Sequence, residues 1–136
     1  MEKYPVLLVA ALVLDDADCV LLTRHAPYHK WHLPDGELRF GETLLDALAR
    51  SFQEDFGVMP LFLDAKPWDV QETLHAQRGV HYVTQYFRVV VQKATLLRPR
   101  EGLEMRWLDL QRGYSVSGLL QSTVKAIDEA SWKGLL

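Results

Sequence analysis

Between positions 36 and 58 the chain reads GELRFGETLLDALARSFQEDFGV, and this stretch constrains the fold more than any other. Residues 43–56 carry apolar side chains at Leu45, Leu48, Ala49, Phe52 and Phe56, the spacing of one helical face. Thr43 is placed to cap that helix, with Asp46 three residues on as a capping-box variant. Gly57 stops it, because glycine readily takes the left-handed conformation that follows a last helical turn. A helix with one apolar side must lay that side on a sheet or on another helix. At about 100° per residue, Ser51, Glu54 and Asp55 share a narrow polar arc, and Arg50 meets Glu54 at i+4. Glu42 stands just before the first turn, where the loop 36–41 can fold its carboxylate back. Taken alone, the acids read as a solvated face. Acids gathered this tightly also repel each other, and a divalent cation carrying a phosphate is a group that offsets the repulsion.

The rest of the chain supplies strands for that helix to cover. Residues 6–14 are rich in Val and Leu and read as a buried strand. Residues 15–18 are a polar turn, and 19–24 the returning strand of a hairpin. Residues 31–33 are a short extended piece, Pro34-Asp35-Gly36 turns the chain, and 38–40 is read as a further short strand. Strands are expected at 58–63 (interrupted by Pro60), around 68–74, at 81–91 and at 105–110, with a loop at 75–79. Residues 116–132 hold Leu119, Leu120, Thr123, Val124, Ile127 and Ala130 at helical spacing, a second amphipathic helix. Strands flanked by two well-separated helices predict an α/β sandwich around a mixed sheet. No repeat, low-complexity segment or linker divides the 136 residues, so one domain spanning 1–136 is expected.

Composition excludes some functions. The formal net charge of −3 argues against a duplex nucleic-acid binder, which shows a basic field. The longest apolar run, 6–14, is far shorter than the roughly 20 residues of a membrane span. The first residues lack a basic region and a cleavage site, and the one cysteine, Cys19, has no internal partner. A reducing, cytoplasmic location without a membrane is therefore expected.

The register of the first segment is more specific than any of these. Gly36, Glu42, Arg50, Phe52, Glu54, Asp55, Gly57 and Val58 follow the order Gly, five residues, Glu, seven residues, Arg, then an apolar residue and an acidic pair before Gly and an aliphatic residue. The segment resembles the Nudix box, with Ser51 in place of the Glu after the Arg and Asp55 in place of the last Glu. Trp31-His32-Leu33-Pro34-Asp35-Gly36 resembles that family's Trp-x-x-Pro-Gly-Gly lead-in, and Glu104 to Leu108 its downstream acid and strand. The resemblance implies a Nudix-type α/β/α sandwich.

It also implies a function: Mg²⁺- or Mn²⁺-dependent hydrolysis of a pyrophosphate bond in a nucleoside diphosphate joined to another group. A pyrophosphate repels hydroxide, so such a site needs an ion that neutralises oxygens and acidifies a water. By resemblance, Glu54 and Asp55 are metal carboxylates, the main-chain carbonyl of Asp35 is a further ligand, and Glu104 is a ligand or base. Arg50 orients the acids and Glu42 braces loop and helix. Asp55 is one methylene shorter than Glu, roughly 1.5 Å, and Ser51 supplies no acid. The alternative is a weak or inactive Nudix-fold domain that binds nucleotides. Arg24, Lys30, Trp31 and Arg39 are candidate contacts for base or phosphate, with Tyr28 and the loop histidine His75 beside them. The expected partner is a small nucleotide-type diphosphate. Many relatives pair, so a homodimer is compatible with the resemblance.

Overall fold

The strand β1 (Val6–Val13) is apolar at every position because a layer covers each of its faces. Successive side chains alternate, so Val9, Ala11 and Val13 join one core while Ala10 and Leu12 join another. In the computed structural model, which describes residues 4–25, 29–112 and 118–136, β1 is an inner strand of a five-stranded mixed sheet. It runs antiparallel to β3 (Asp35–Glu37) and parallel to β6 (Val80–Val90). The far edge of β6 carries β5 (Asp69–His75) at its start and β4 (Leu61–Phe62) at its end, both antiparallel. A second sheet pairs β2 (Val20–His25) with β7 (Leu103–Leu108).

Helix α1 (Leu44–Phe56) covers one face. Its Leu48, Phe52 and Phe56 pack with Val9, Val13, Leu21 and Phe87, and the Phe52 and Phe56 rings lie 4.8 Å apart. The predicted cap is present: Thr43 Oγ1 accepts from Asp46 N at 3.1 Å, and Asp46 accepts from Thr43 N. Gly57 ends the helix at φ 75°. Helix α2 (Gln121–Trp132) covers the other face, with Ala126, Ile127 and Ala130 against Ala10, Leu12, Val20, Leu22 and Tyr86. The result is the expected α/β/α sandwich.

Several local expectations are corrected. The turn after β1 forms, with Asp15 Oδ1 accepting from the amides of Ala17 and Cys19 and Asp18 at φ 60°. The two strands do not continue as a hairpin. The bridge Leu14–Val20 and the bond from Asp15 N to Cys19 O join them at the turn, and β2 then diverges to pair with β7. Asp35 and Gly36 are strand rather than turn, because the β1 ladder captures them, and 38–40 is not a strand. The second helix spans Gln121–Trp132. Leu119 bridges Trp31 and Leu120 precedes the first turn, while Val116 and Tyr28 lie outside the described residues.

Candidate active site

The site is built where β3 passes under α1. A Cβ placed on Gly36 would lie 2.3 Å from Ser51 Cβ and 2.5 Å from its Oγ. Only glycine lets strand and helix come this near. Ser51 is accordingly buried, 6% exposed, and its hydroxyl donates to Leu48 O at 3.2 Å. It lies at the edge of the packed stripe with Ala47, Leu48 and Phe52, and it still lines the same cleft as Glu54 and Asp55, its neighbours on the expected arc.

The ladder sets the main-chain groups. Ala11 N donates to Pro34 O and Leu38 N to Leu7 O. Antiparallel carbonyls alternate, so Asp35 and Glu37 turn theirs away from β1 to the open edge of the sheet. Arg50 Nη2 takes the Glu37 carbonyl at 2.8 Å. Arg50 also grips Glu42 through Nε at 2.7 Å and Nη2 at 3.0 Å, and reaches Glu54 at 3.4 Å. Its main partner is thus Glu42, which ties the loop to the helix as expected. Those bonds from Arg50 hold the Glu42 carboxyl below its usual range, against a smaller upward push from burial.

Glu54, Asp55, Asp35 and Arg39 line one cleft of about 400 Å³, with Arg50, Ser51 and Arg100. Glu54 is half exposed. Asp55 is mostly covered and meets Arg100 Nε at 2.8 Å. Surrounding protein pushes the Asp35 carboxyl upward; His32 and His25 oppose the shift and Asp55 adds to it. A second cleft, of about 760 Å³, shares Leu8, His25, Asp35 and Glu37 with the first and so opens beside it. It runs between β1, β5 and β6 and the start of α2, past Gln71, Tyr82, Tyr86 and Ser122.

Not every expected residue reaches this place. Glu104 does not meet Glu54 or Asp55. On β7, Leu103, Met105 and Trp107 face the α1 layer, so strand alternation turns Glu104 the other way. There it pairs with Arg24 across the small sheet at 3.1 Å. Arg24 and Arg106 flank the Trp31 ring, at 4.4 and 5.4 Å from its centroid. Arg24, Trp31 and Glu104 therefore form a separate cluster, and the exposed Lys30 lines neither cleft. His75 lines the larger cleft. Sequence reasoning missed Arg100 and His25. His25 lies one residue past the strand expected at 19–24 but closes the observed β2, and Arg100 is 45 residues from the acid it holds.

The oxygens available to an ion are the Glu54 and Asp55 carboxylates and the Asp35 carbonyl. All are hard donors of the kind Mg²⁺ and Mn²⁺ take. Among the described residues no three or more His, Cys, Asp or Glu side chains gather as a metal set. One or two carboxylates are enough for an ion that keeps waters and shares substrate phosphates. The Asp55 carboxylate is already paired with one cationic group, the Arg100 guanidinium. The donor set fits. Residues 5–124 match the family model described as NUDIX domain.

The chain belongs to the Nudix family. Two solved Nudix structures share the fold. The NUDIX hydrolase from Nitrosomonas europaea superposes with a TM-score of 0.76 at 21% identity, covering 96% of this chain and 90% of that one. The MutT NUDIX hydrolase from Burkholderia pseudomallei gives 0.76 at 21% identity, with 93% and 98% covered. An RNA pyrophosphohydrolase of Ruthia magnifica subsp. Calyptogena magnifica is 38% identical over 50 residues. That match spans 37% of this chain and only 28% of the relative's length. No helix among the described residues is long and apolar enough to cross a membrane.

Proposed function

We propose that this Nudix domain hydrolyses a diphosphate bond in a nucleotide-type substrate with the help of Mg²⁺ or Mn²⁺. The observation that carries the reading is convergence. Two consecutive helical acids, an edge carbonyl and three arginines line one small cleft that opens onto a larger one. The diphosphate belongs in the small cleft and the rest of the substrate in the larger. There Tyr82 offers aromatic surface, and Gln71 and Ser122 offer polar groups.

When bound at Glu54, Asp55 and the Asp35 carbonyl, the ion supplies neutralisation of the phosphate oxygens. The chain's own residues do the positioning. Glu42 and Arg50 lock the loop to α1, so the Asp35 carbonyl is presented at a fixed place relative to Glu54. Arg39 stands exposed at the rim of the cleft, where an anionic substrate meets it first. Glu104 has no part in this reading, because it lines neither cleft and pairs with Arg24 across the small sheet.

Binding without turnover is a second reading, favoured by one observation. Ser51 is buried and bonded to Leu48 O, so it contributes no acid. A panel of nucleoside triphosphates, dinucleoside polyphosphates, nucleotide sugars and pyrophosphorylated RNA, each with Mg²⁺, Mn²⁺ or chelator, separates the two. Metal-dependent product release that Glu54→Gln abolishes supports hydrolysis. Ligand-dependent thermal stabilisation without product supports binding alone. Full activity in Glu54→Gln removes Glu54 from the reaction.

A further inference from the structure

We propose that Arg100 is a resident cation of the metal site, and that a divalent ion must displace its guanidinium from Asp55 in order to bind. The proposal rests on the metal-dependent reading above and adds to it a residue outside the Nudix box.

The placement of Arg100 is fixed twice. Its amide donates to Asp55 O at 2.8 Å while its Nε donates to Asp55 Oδ1 at 2.8 Å. The loop around it is stitched down as well, by Arg98 N to Phe56 O and by Leu103 N to Arg100 O. An arginine held through its own backbone loses less freedom on pairing than one swinging from a free loop. Asp55 is mostly covered, 18% exposed, while the Arg100 side chain is 44% exposed, so the pair is anchored on the acid's side and its guanidinium has solvent to move into.

Charge balance points the same way. Four acids line the small cleft (Asp35, Glu37, Glu54 and Asp55), together with three arginines (Arg39, Arg50 and Arg100). One net negative charge is little with which to hold a divalent ion. Removing Arg100 leaves two. A guanidinium within hydrogen-bond reach of Asp55 also repels an ion on the same carboxylate, so the two cations exclude each other there. Once displaced, Arg100 remains on the cleft wall by its backbone bond, close enough for its free guanidinium to meet an incoming phosphate.

The test is Mn²⁺ binding to the full chain, read from the electron paramagnetic resonance of free Mn²⁺. Arg100→Gln is expected to tighten Mn²⁺ about tenfold, and Arg39→Gln, which removes an equal charge at the rim, about twofold or less. Unchanged or weaker binding in Arg100→Gln overturns the proposal, as does equal tightening in both variants. The wild-type chain gives a second reading that depends on no variant. On titration with Mg²⁺, the Arg100 Nε–H resonance should move from a bonded to a free position. A resonance that stays in place at saturation overturns the displacement. If neither wild type nor Arg100→Gln binds Mn²⁺, the metal-dependent reading itself fails and this proposal goes with it. If both bind equally, that reading stands and only the role of Arg100 is lost.

Discussion

Replacing Gly36 by alanine tests whether the close passage of β3 under α1 builds the site. The added Cβ would meet Ser51 Cβ at 2.3 Å, against at least 3.4 Å for ordinary contact, so the elements must separate by roughly 1 Å. Neither atom is the end of a flexible chain, which leaves no cheap way out. Overpacking of this kind costs about 1–3 kcal/mol, and a clash between two Cβ atoms belongs near the top of that range. At a few degrees per kcal/mol for a domain of this size, the melting temperature should fall by about 10 °C. The partner substitution is Ser51→Gly, after which the nearest remaining atom of residue 51 is its Cα at 3.8 Å. Alone, Ser51→Gly should cost under about 1 kcal/mol, the helix-propensity penalty of glycine. In that background Gly36→Ala should be nearly free, giving a coupling of about 2–3 kcal/mol in a double-mutant cycle. Urea unfolding of the four proteins measures it, with equal m-values required. The same 1 Å displacement of Asp35 relative to Glu54 should lower turnover about 10²-fold. If Gly36→Ala costs the same in both backgrounds, the packing argument is wrong.

Other consequences are equally direct. Ser51→Glu places an acid at the wall of the small cleft, and turnover with Mg²⁺ should rise at least about tenfold if the site lacks only a base; a flat or lower rate means that the chemistry relies on other residues. Asp64 is 13% exposed and, although burial alone would raise its pKa, hydrogen bonds from the Arg88 side chain and amide lower it overall. Its contribution is therefore present above the unfolded carboxylate value of about 3.9 and is lost as pH falls through the still lower folded value. Melting curves should show wild type above Asp64→Asn at pH 7, with the gap closing below about pH 4; a gap independent of pH refutes this assignment.

Much of this was legible in the sequence because it is local. The cap at Thr43 and the stop at Gly57 are set by neighbours within a few residues, and the structure reproduces them; of the expected stripe Leu48, Phe52 and Phe56 are buried, while Leu45 and Ala49 are only partly covered and Ala47 and Ser51 are buried as well. What was not legible depends on distant partners. Pro34-Asp35-Gly36 has the composition of a turn, yet hydrogen bonds to β1 outweigh that preference. The chain after Asp18 turns as a hairpin should, but β2 finds more to pair with in β7. Ser51 reads as polar and hence exposed, whereas its place four residues after Ala47 and three after Leu48 puts it on the buried stripe. Glu104 looks like a site acid until its strand is paired, when alternation turns it toward Arg24. Arg100 carries no local signal beyond the run Arg98-Pro99-Arg100, and only folding brings it to Asp55.

The account depends on a cation held by Glu54 and Asp55 where the diphosphate binds. Anomalous diffraction from crystals containing Mn²⁺ and a non-hydrolysable nucleotide tests this most directly. Manganese should appear about 2.1 Å from carboxylate oxygens of both residues, with a phosphate oxygen completing its shell. Saturating Mn²⁺ and nucleotide with no manganese at Glu54 and Asp55 would contradict it.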